Sequence, residues 1–182
     1  RLMYALIIIL VATMSAWIMA LLLQLKPVDF IRISLPVKLW IVFRFLASFC
    51  GVFGFSIMFN SPIRLASASA LIGAVANTLR LELVDLAGMP PAAAAFIGAL
   101  TAGLFASMIK NKAGYPRISL TVPSIVIMVP GLYLYRGFYN LGIMSLSTAA
   151  SWFAAAILII AALPLGLIFA RILTDRTFRY CT

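Results

Sequence analysis

Apolar runs of about twenty residues, the length of one bilayer crossing, recur along this chain between short polar, basic or proline-rich interruptions. Six crossings can be drawn. They cover residues 2–25, 37–59, 63–86, 92–109, 119–140 and 148–170. The interruptions have the chemistry of turns. A basic linker over residues 26–38 holds Pro27 and Pro36, and Phe30 and Ile31 could face lipid there. Asn60-Ser61-Pro62 ends the second run, and Gly88-Met89-Pro90-Pro91 parts the third from the fourth. Residues 110–117 form a loop with three cations, residues 142–147 a short loop, and a polar tail comes after Arg171. The pattern predicts an all-α, polytopic bundle of transmembrane helices. Residues 1–36 read as an extra N-terminal helix with its linker, and residues 37–182 as a five-helix membrane domain.

The fifth run differs from the others. Pro123 and the pair Pro130-Gly131 lie inside it. A proline lacks an amide donor and clashes with the carbonyl four residues back. The carbonyls of Ser119 and Val126 are therefore expected to lose their usual partners. In hydrocarbon a broken helix persists only where protein or a water-filled cavity satisfies the freed groups, and such breaks hold substrate in many secondary transporters. The half-helix starting near Pro130 would present free amides and the positive end of its dipole, which attract a carboxylate. Ser124, Thr121 and the freed carbonyls could take an ammonium group.

Composition narrows the class. The chain has 182 residues, of which 65% are hydrophobic, with a mean hydropathy of +1.16. Soluble domains are roughly half apolar, so this is an integral membrane protein. There is no histidine, and the only acids are Asp29, Glu82, Asp85 and Asp175. Neither a Ser-His-Asp triad nor a His-ligated metal site can be built, so no catalytic residue, metal or cofactor is expected, and the chain does not read as an enzyme. The net charge of +10 lies mostly between apolar runs rather than along an aromatic-interleaved stripe, which argues against nucleic acid. Cys50 and Cys181 read as unpaired thiols. The first run is too long for a signal-peptide core. The opening Arg1 fits a fragment or processed form of a longer protein.

Loop charges suggest an orientation. Alternating crossings put Arg1, Arg64, Lys110, Lys112, Arg117, Arg171, Arg176 and Arg179 on one side. Lys26, Arg32, Lys38, Arg80 and Arg136 fall on or near the other, with Arg44 inside the second run. That bias favours cytoplasmic termini. Ser69, Gly73 and Asn77 recur every four residues in the third run, and Arg80 is three further on, so all share one face. Polar groups at membrane depth are costly and usually functional, so this face either lines a cavity or makes interhelical hydrogen bonds with no transport role. Arg80, Glu82 and Asp85 read as an interfacial ion-pair group. Ala99, Gly103 and Ser107 form a small-residue packing stripe. Arg136 could meet an anionic substrate or snorkel to the headgroups, and Arg44 could snorkel as well, while Trp17, Trp40, Trp152 and the tyrosines after the break suit an aromatic belt. Pro164 suggests a mild kink.

The stretches Met58-Phe59-Asn60-Ser61-Pro62-Ile63-Arg64 and Ala70-Leu71-Ile72-Gly73, then Arg80, Gly88-Met89 and the small-residue helix from Phe96 to Gly103, resemble the C-terminal half of the threonine/serine exporter family. Thr121-Val122-Pro123, Met128-Val129-Pro130-Gly131 and Tyr135 continue the match and carry its most specific spacing. The resemblance spans about residues 37 to 171. It makes Asn60, Pro62, Arg64, Gly73 and Gly103 structural motif positions. It implies an inner-membrane exporter of threonine and serine, driven by protons, working with a companion half that is fused or separate. Some relatives are linked to export of succinate-type dicarboxylates. The position of Asn77 often holds histidine in relatives, and Glu82 and Asp85 do not look like family features.

Together these readings predict half of a secondary exporter for a small carboxylate-bearing solute, embedded in a lipid bilayer and open to oligomerisation. Pro123, Ser124, Pro130, Gly131, Tyr135, Asn77 and Arg80 are its candidate binding residues. The alternatives are dicarboxylate export, or a scaffold or channel-like subunit that transports nothing.

Overall fold

A computed structural model describes residues 2–24 and 36–175. Most of the basic linker (with Phe30 and Ile31), Arg1, Cys181 and the end of the polar tail lie outside the described residues. Cys50 is a free, exposed thiol. The elements are α1 (Leu2–Leu22), α2 (Val37–Met58), α3 (Ile63–Asp85), α4 (Pro91–Ala113), α5 (Arg117–Val126), α6 (Gly131–Gly142) and α7 (Leu146–Thr174). No strand occurs among the described residues, and the fold is all-α.

Prolines set most of the starts. Pro36, Pro62, Pro90, Pro116 and Pro130 immediately precede α2, α3, α4, α5 and α6. At a helix entrance the missing amide is no loss, because the first amides have no intrahelical acceptor. The motif Asn60-Ser61-Pro62 is a tight corner of this kind. Asn60 takes a left-handed φ of 57°, which asparagine tolerates better than most residues. The amide of Ser61 then returns to the Ser56 carbonyl at 3.0 Å. Gly114, at φ 70°, closes α4 and donates to the Lys110 carbonyl.

The fourth predicted crossing extends beyond its expected end, to Ala113, and the last runs from Leu146 through Thr174. That last helix continues through Pro164. The fifth is two helices, separated at residues 127–130. By length and composition, α2, α4 and α7 can each cross a membrane, and α5 with α6 make a fourth span if taken as one. Helix α3 is of similar length, but its small and charged side chains make it less apolar than these. Many large apolar side chains are exposed, Ile57, Ile118, Ile157 and Phe169 among them. In lipid that is the expected outward face.

The chain divides into two compact units: Arg1–Ile33 with Pro130–Leu158, and Ser34–Val129 with Ile159–Thr182. In the first, α1 packs on α6, with the Trp17 ring so close to Gly142 that a Cβ there would collide with it. Trp152 stands edge-on to Tyr133 and beneath the Arg136 guanidinium, 4.8 Å from its ring centre. In the second unit, α3 is the hub, packed on α2, α4 and α5. Gly73 marks its closest approach: a Cβ there would lie 2.7 Å from Val52 and 2.9 Å from the Ser124 carbonyl. Gly103 and Gly166 are close-approach points between α4 and α7: a Cβ at Gly103 would lie 2.5 Å from the Ala170 Cβ, and one at Gly166 2.5 Å from the Phe96 carbonyl oxygen. Where both lipid and protein are apolar, small residues permit such contact.

Candidate functional site

The face of α3 predicted from spacing is buried as a unit. Ser69, Gly73 and Asn77 are all covered, and α2 supplies a matching row, Ser48, Val52 and Ser56, also buried. The two rows meet in hydrogen bonds. The Asn77 Nδ2 donates to Ser48 Oγ at 2.8 Å, and the Ser56 and Ser69 hydroxyls lie 3.1 Å apart. From α5, the fully buried Ser124 hydroxyl reaches the Ser69 carbonyl at 3.0 Å and the Leu120 carbonyl at 2.5 Å. A polar seam therefore runs between α2, α3 and α5, inside apolar surroundings.

Two atoms of this region stand out. The Oδ1 of Asn77 and the hydroxyl of its neighbour Thr78 are buried without a hydrogen-bond partner among the described residues. Asn77 is 4% exposed. A buried unsatisfied acceptor is uncommon and asks for a ligand, a water or a functional reason.

One turn further along α3, Arg80 Nη1 donates to the Met128 carbonyl at 3.1 Å. Met128 lies in the segment that separates α5 from α6, and its own side chain is fully buried. Arginine thus caps a backbone acceptor of the break with a charged donor, an arrangement stronger than a neutral hydrogen bond. The Val126 carbonyl, expected to be unpaired, is recaptured: the Val129 amide donates to it at 3.2 Å, and Met128 N donates to Ile125 O at 2.9 Å. The chain tightens into successive short turns at the break, as helix ends commonly do. Pro123 is buried within α5, and that helix runs on to Val126. The Thr121 hydroxyl is occupied by the carbonyls of Arg117 and Ile118.

The candidate residues divide between the two units. Asn77, Arg80, Pro123 and Ser124 belong to the second, with Arg80 and Ser124 tied to the neighbouring helix by the bonds just given. Pro130, Gly131 and Tyr135 belong to the first. There Pro130 is buried and Gly131 exposed. The Pro130 carbonyl accepts from Leu134, and the Tyr135 ring lies 6.4 Å from that of Tyr139. Among the motif residues, Asn60 and Pro62 make the α2–α3 corner, Gly73 and Gly103 are close-approach points, and Arg64 is exposed in the first turn of α3.

A model of the family described as threonine/serine exporter, ThrE, matches residues 44–173. The chain belongs to the threonine/serine exporter family. No curated protein and no solved structure matches it. The matched region contains the polar seam, Arg80 and the whole break, so these are features of a membrane transporter of the threonine/serine-exporter type.

One group in this transporter departs from the sequence expectation. Glu82 and Asp85 pair with Arg44 of α2: Nη1 to Glu82 Oε1 is 2.8 Å, and Nη2 meets Asp85 Oδ2. The guanidinium also lies 5.0 Å from the Trp40 ring centre. Arg44 is thus fixed between helices rather than reaching along its own helix toward the headgroups. Helical spacing held the signal. Glu82 and Asp85 are three apart and share a face, whereas Arg80 is two and five residues from them and points elsewhere. Ser48, by contrast, could have been found from its spacing of four with Val52 and Ser56.

Proposed function

We propose that this chain is half of a secondary exporter that moves threonine or serine out of the cell across the inner membrane, using the proton gradient and a companion membrane half. The observation that carries the reading is the Arg80 guanidinium on the Met128 carbonyl, one helical turn from the Asn77 Oδ1, which has no partner among the described residues. Arg80 would exchange the neutral carbonyl for the carboxylate of an arriving amino acid, since a charged acceptor makes the stronger bond. Asn77 Oδ1 would then accept from the solute's ammonium or hydroxyl group, and Ser48 already holds the amide from the other end. Release of the Met128 carbonyl would loosen the break and couple loading to a change of access, in keeping with the use of discontinuous helices in transporters. Both chain termini would be cytoplasmic, on the strength of the loop charges.

The test is efflux of labelled threonine, serine and succinate from cells that express the chain with and without a companion half. Threonine or serine efflux that needs both halves and is lost in Arg80→Gln supports the reading. Efflux of succinate alone would transfer it to dicarboxylates. Full efflux by Arg80→Gln at normal membrane levels would overturn the role given to this residue.

A further inference from the structure

A second polar feature of this transporter lies away from the seam, where α4 and α7 end and α5 begins. An open cleft of about 430 Å³ is lined there by Lys110, Arg117, Arg171 and Asp175 and by the apolar side chains of Ile118, Leu167 and Ile168. Among the described residues of its lining, three cations face one carboxylate. Arg171 Nε is 3.7 Å from Asp175 Oδ2, so that acid offsets one cation. Arg117 is tied into the wall, with Nη2 donating to the Gly103 carbonyl at 3.1 Å and Nη1 to Thr174 Oγ1 at 3.0 Å. The guanidinium is therefore held in the lining of the cleft by two bonds to neutral acceptors, and its charge remains. The other side of the cleft is different in kind. Ile118 is 68% and Ile168 45% exposed, so the apolar wall is continuous with the surface that a bilayer would cover.

Clustered cations, with Arg117 fixed in the wall, beside an outward apolar wall match a molecule with an anionic head and a hydrocarbon chain. We propose that this cleft is a binding site for an anionic phospholipid. Its phosphate lies between Lys110, Arg117 and Arg171, and one acyl chain runs along Ile118 and Ile168. A small free anion would use the cations but has no need of the apolar wall. The volume is in the range of sites that hold small ligands, and basic pockets between helix ends are known places for acidic headgroups. The loop charge bias favours the cytoplasmic face for this end, where acidic lipid is abundant. The site shares no residue with the Asn77–Arg80 seam, so its fate is independent of the transported solute.

The experiment is native mass spectrometry of the purified full chain in detergent, titrated with phosphatidylglycerol or phosphatidylcholine. The wild type should retain phosphatidylglycerol preferentially. Lys110→Gln/Arg171→Gln should weaken that retention about thirtyfold, at ~1 kcal/mol per cation, whereas Lys38→Gln/Arg64→Gln, which removes the same charge elsewhere, should leave it unchanged. Ile118→Ser/Ile168→Ser should also lower retention, because it spoils the acyl wall and leaves every cation of the cleft in place. Equal retention of the two lipids by the wild type would overturn the proposal, as would equal losses in the two charge-removing doubles. Displacement of bound lipid by millimolar glycerol phosphate would reassign the cleft to free phosphate esters and equally overturn it.

Discussion

At the residue scale, Arg80 carries the most specific consequence. Its bond to Met128 costs little to break if a carboxylate replaces it, and nothing can replace the charge itself. Arg80→Gln should therefore lower threonine and serine export by at least about tenfold, the worth of a hydrogen bond to a charged group, with membrane levels unchanged. Efflux and immunoblot together check this. Asn77 gives a complementary prediction. Its buried Oδ1 has no protein partner among the described residues, so removing the side chain costs the fold the Nδ2 bond to Ser48 Oγ and little else. Asn77→Leu should keep the melting temperature in detergent within a few degrees while reducing export by about tenfold or more. A large loss of melting temperature with export intact would make Asn77 a structural residue. Serine and asparagine positions along α3 were legible in the sequence as one face. The partner of each polar atom was not, because spacing says which side of a helix a residue occupies and leaves open which helix covers that side.

At the element scale, close approach governs. Gly73 and Gly103 each occupy a place where a methyl group would meet another helix at under 3 Å. At Gly73 one of the atoms met is a backbone carbonyl, which cannot rotate away. Gly73→Ala should cost about 1–3 kcal/mol, the usual penalty for overpacking, read as a lower midpoint in denaturant titration of the purified protein. Gly103→Ala meets the Ala170 methyl and should fall in the same range. The break between α5 and α6 belongs to this scale as well. Replacing Pro130 and Gly131 together by leucine restores an amide and removes a flexible residue, favouring a continuous helix. Export should be abolished at normal membrane levels; survival of export would make the break structural. Both prolines were visible in the sequence, yet they act differently. Pro123 is carried inside α5, while Pro130 starts α6. After Pro123, Ser124 continues the helix and bonds across to α3, whereas ahead of Pro130 the chain has already tightened, with the Met128 and Val129 amides donating to the Ile125 and Val126 carbonyls.

At the scale of the whole molecule, the ion pairs between α2 and α3 tie two helices together. Arg44 and Glu82 are largely buried, at 14% and 15% side-chain exposure, and Asp85 is less so, at 40%. Removing one member of a buried pair leaves the other charge uncompensated, which is far worse than replacing both by apolar groups. Arg44→Met alone should therefore destabilise by about 3 kcal/mol or more, and adding Glu82→Leu should recover much of the loss. Thermal denaturation of the three proteins checks the sign, and a double variant weaker than the single would refute it. Much at this scale was determined by the sequence alone. The long apolar runs define a membrane protein, the prolines and the Asn60 corner set where helices begin, and the motifs around them identify the exporter family. The tertiary structure alone decided that Arg80 serves the Met128 carbonyl while Arg44 serves the two acids, that Val126 is recaptured by Val129, and that one acceptor of Asn77 has no partner among the described residues. The physical reason is that helix-forming signals are local, whereas in a membrane an apolar face is equally stable against lipid or protein. Only the packing of α2, α4 and α5 around α3 settles which polar groups meet.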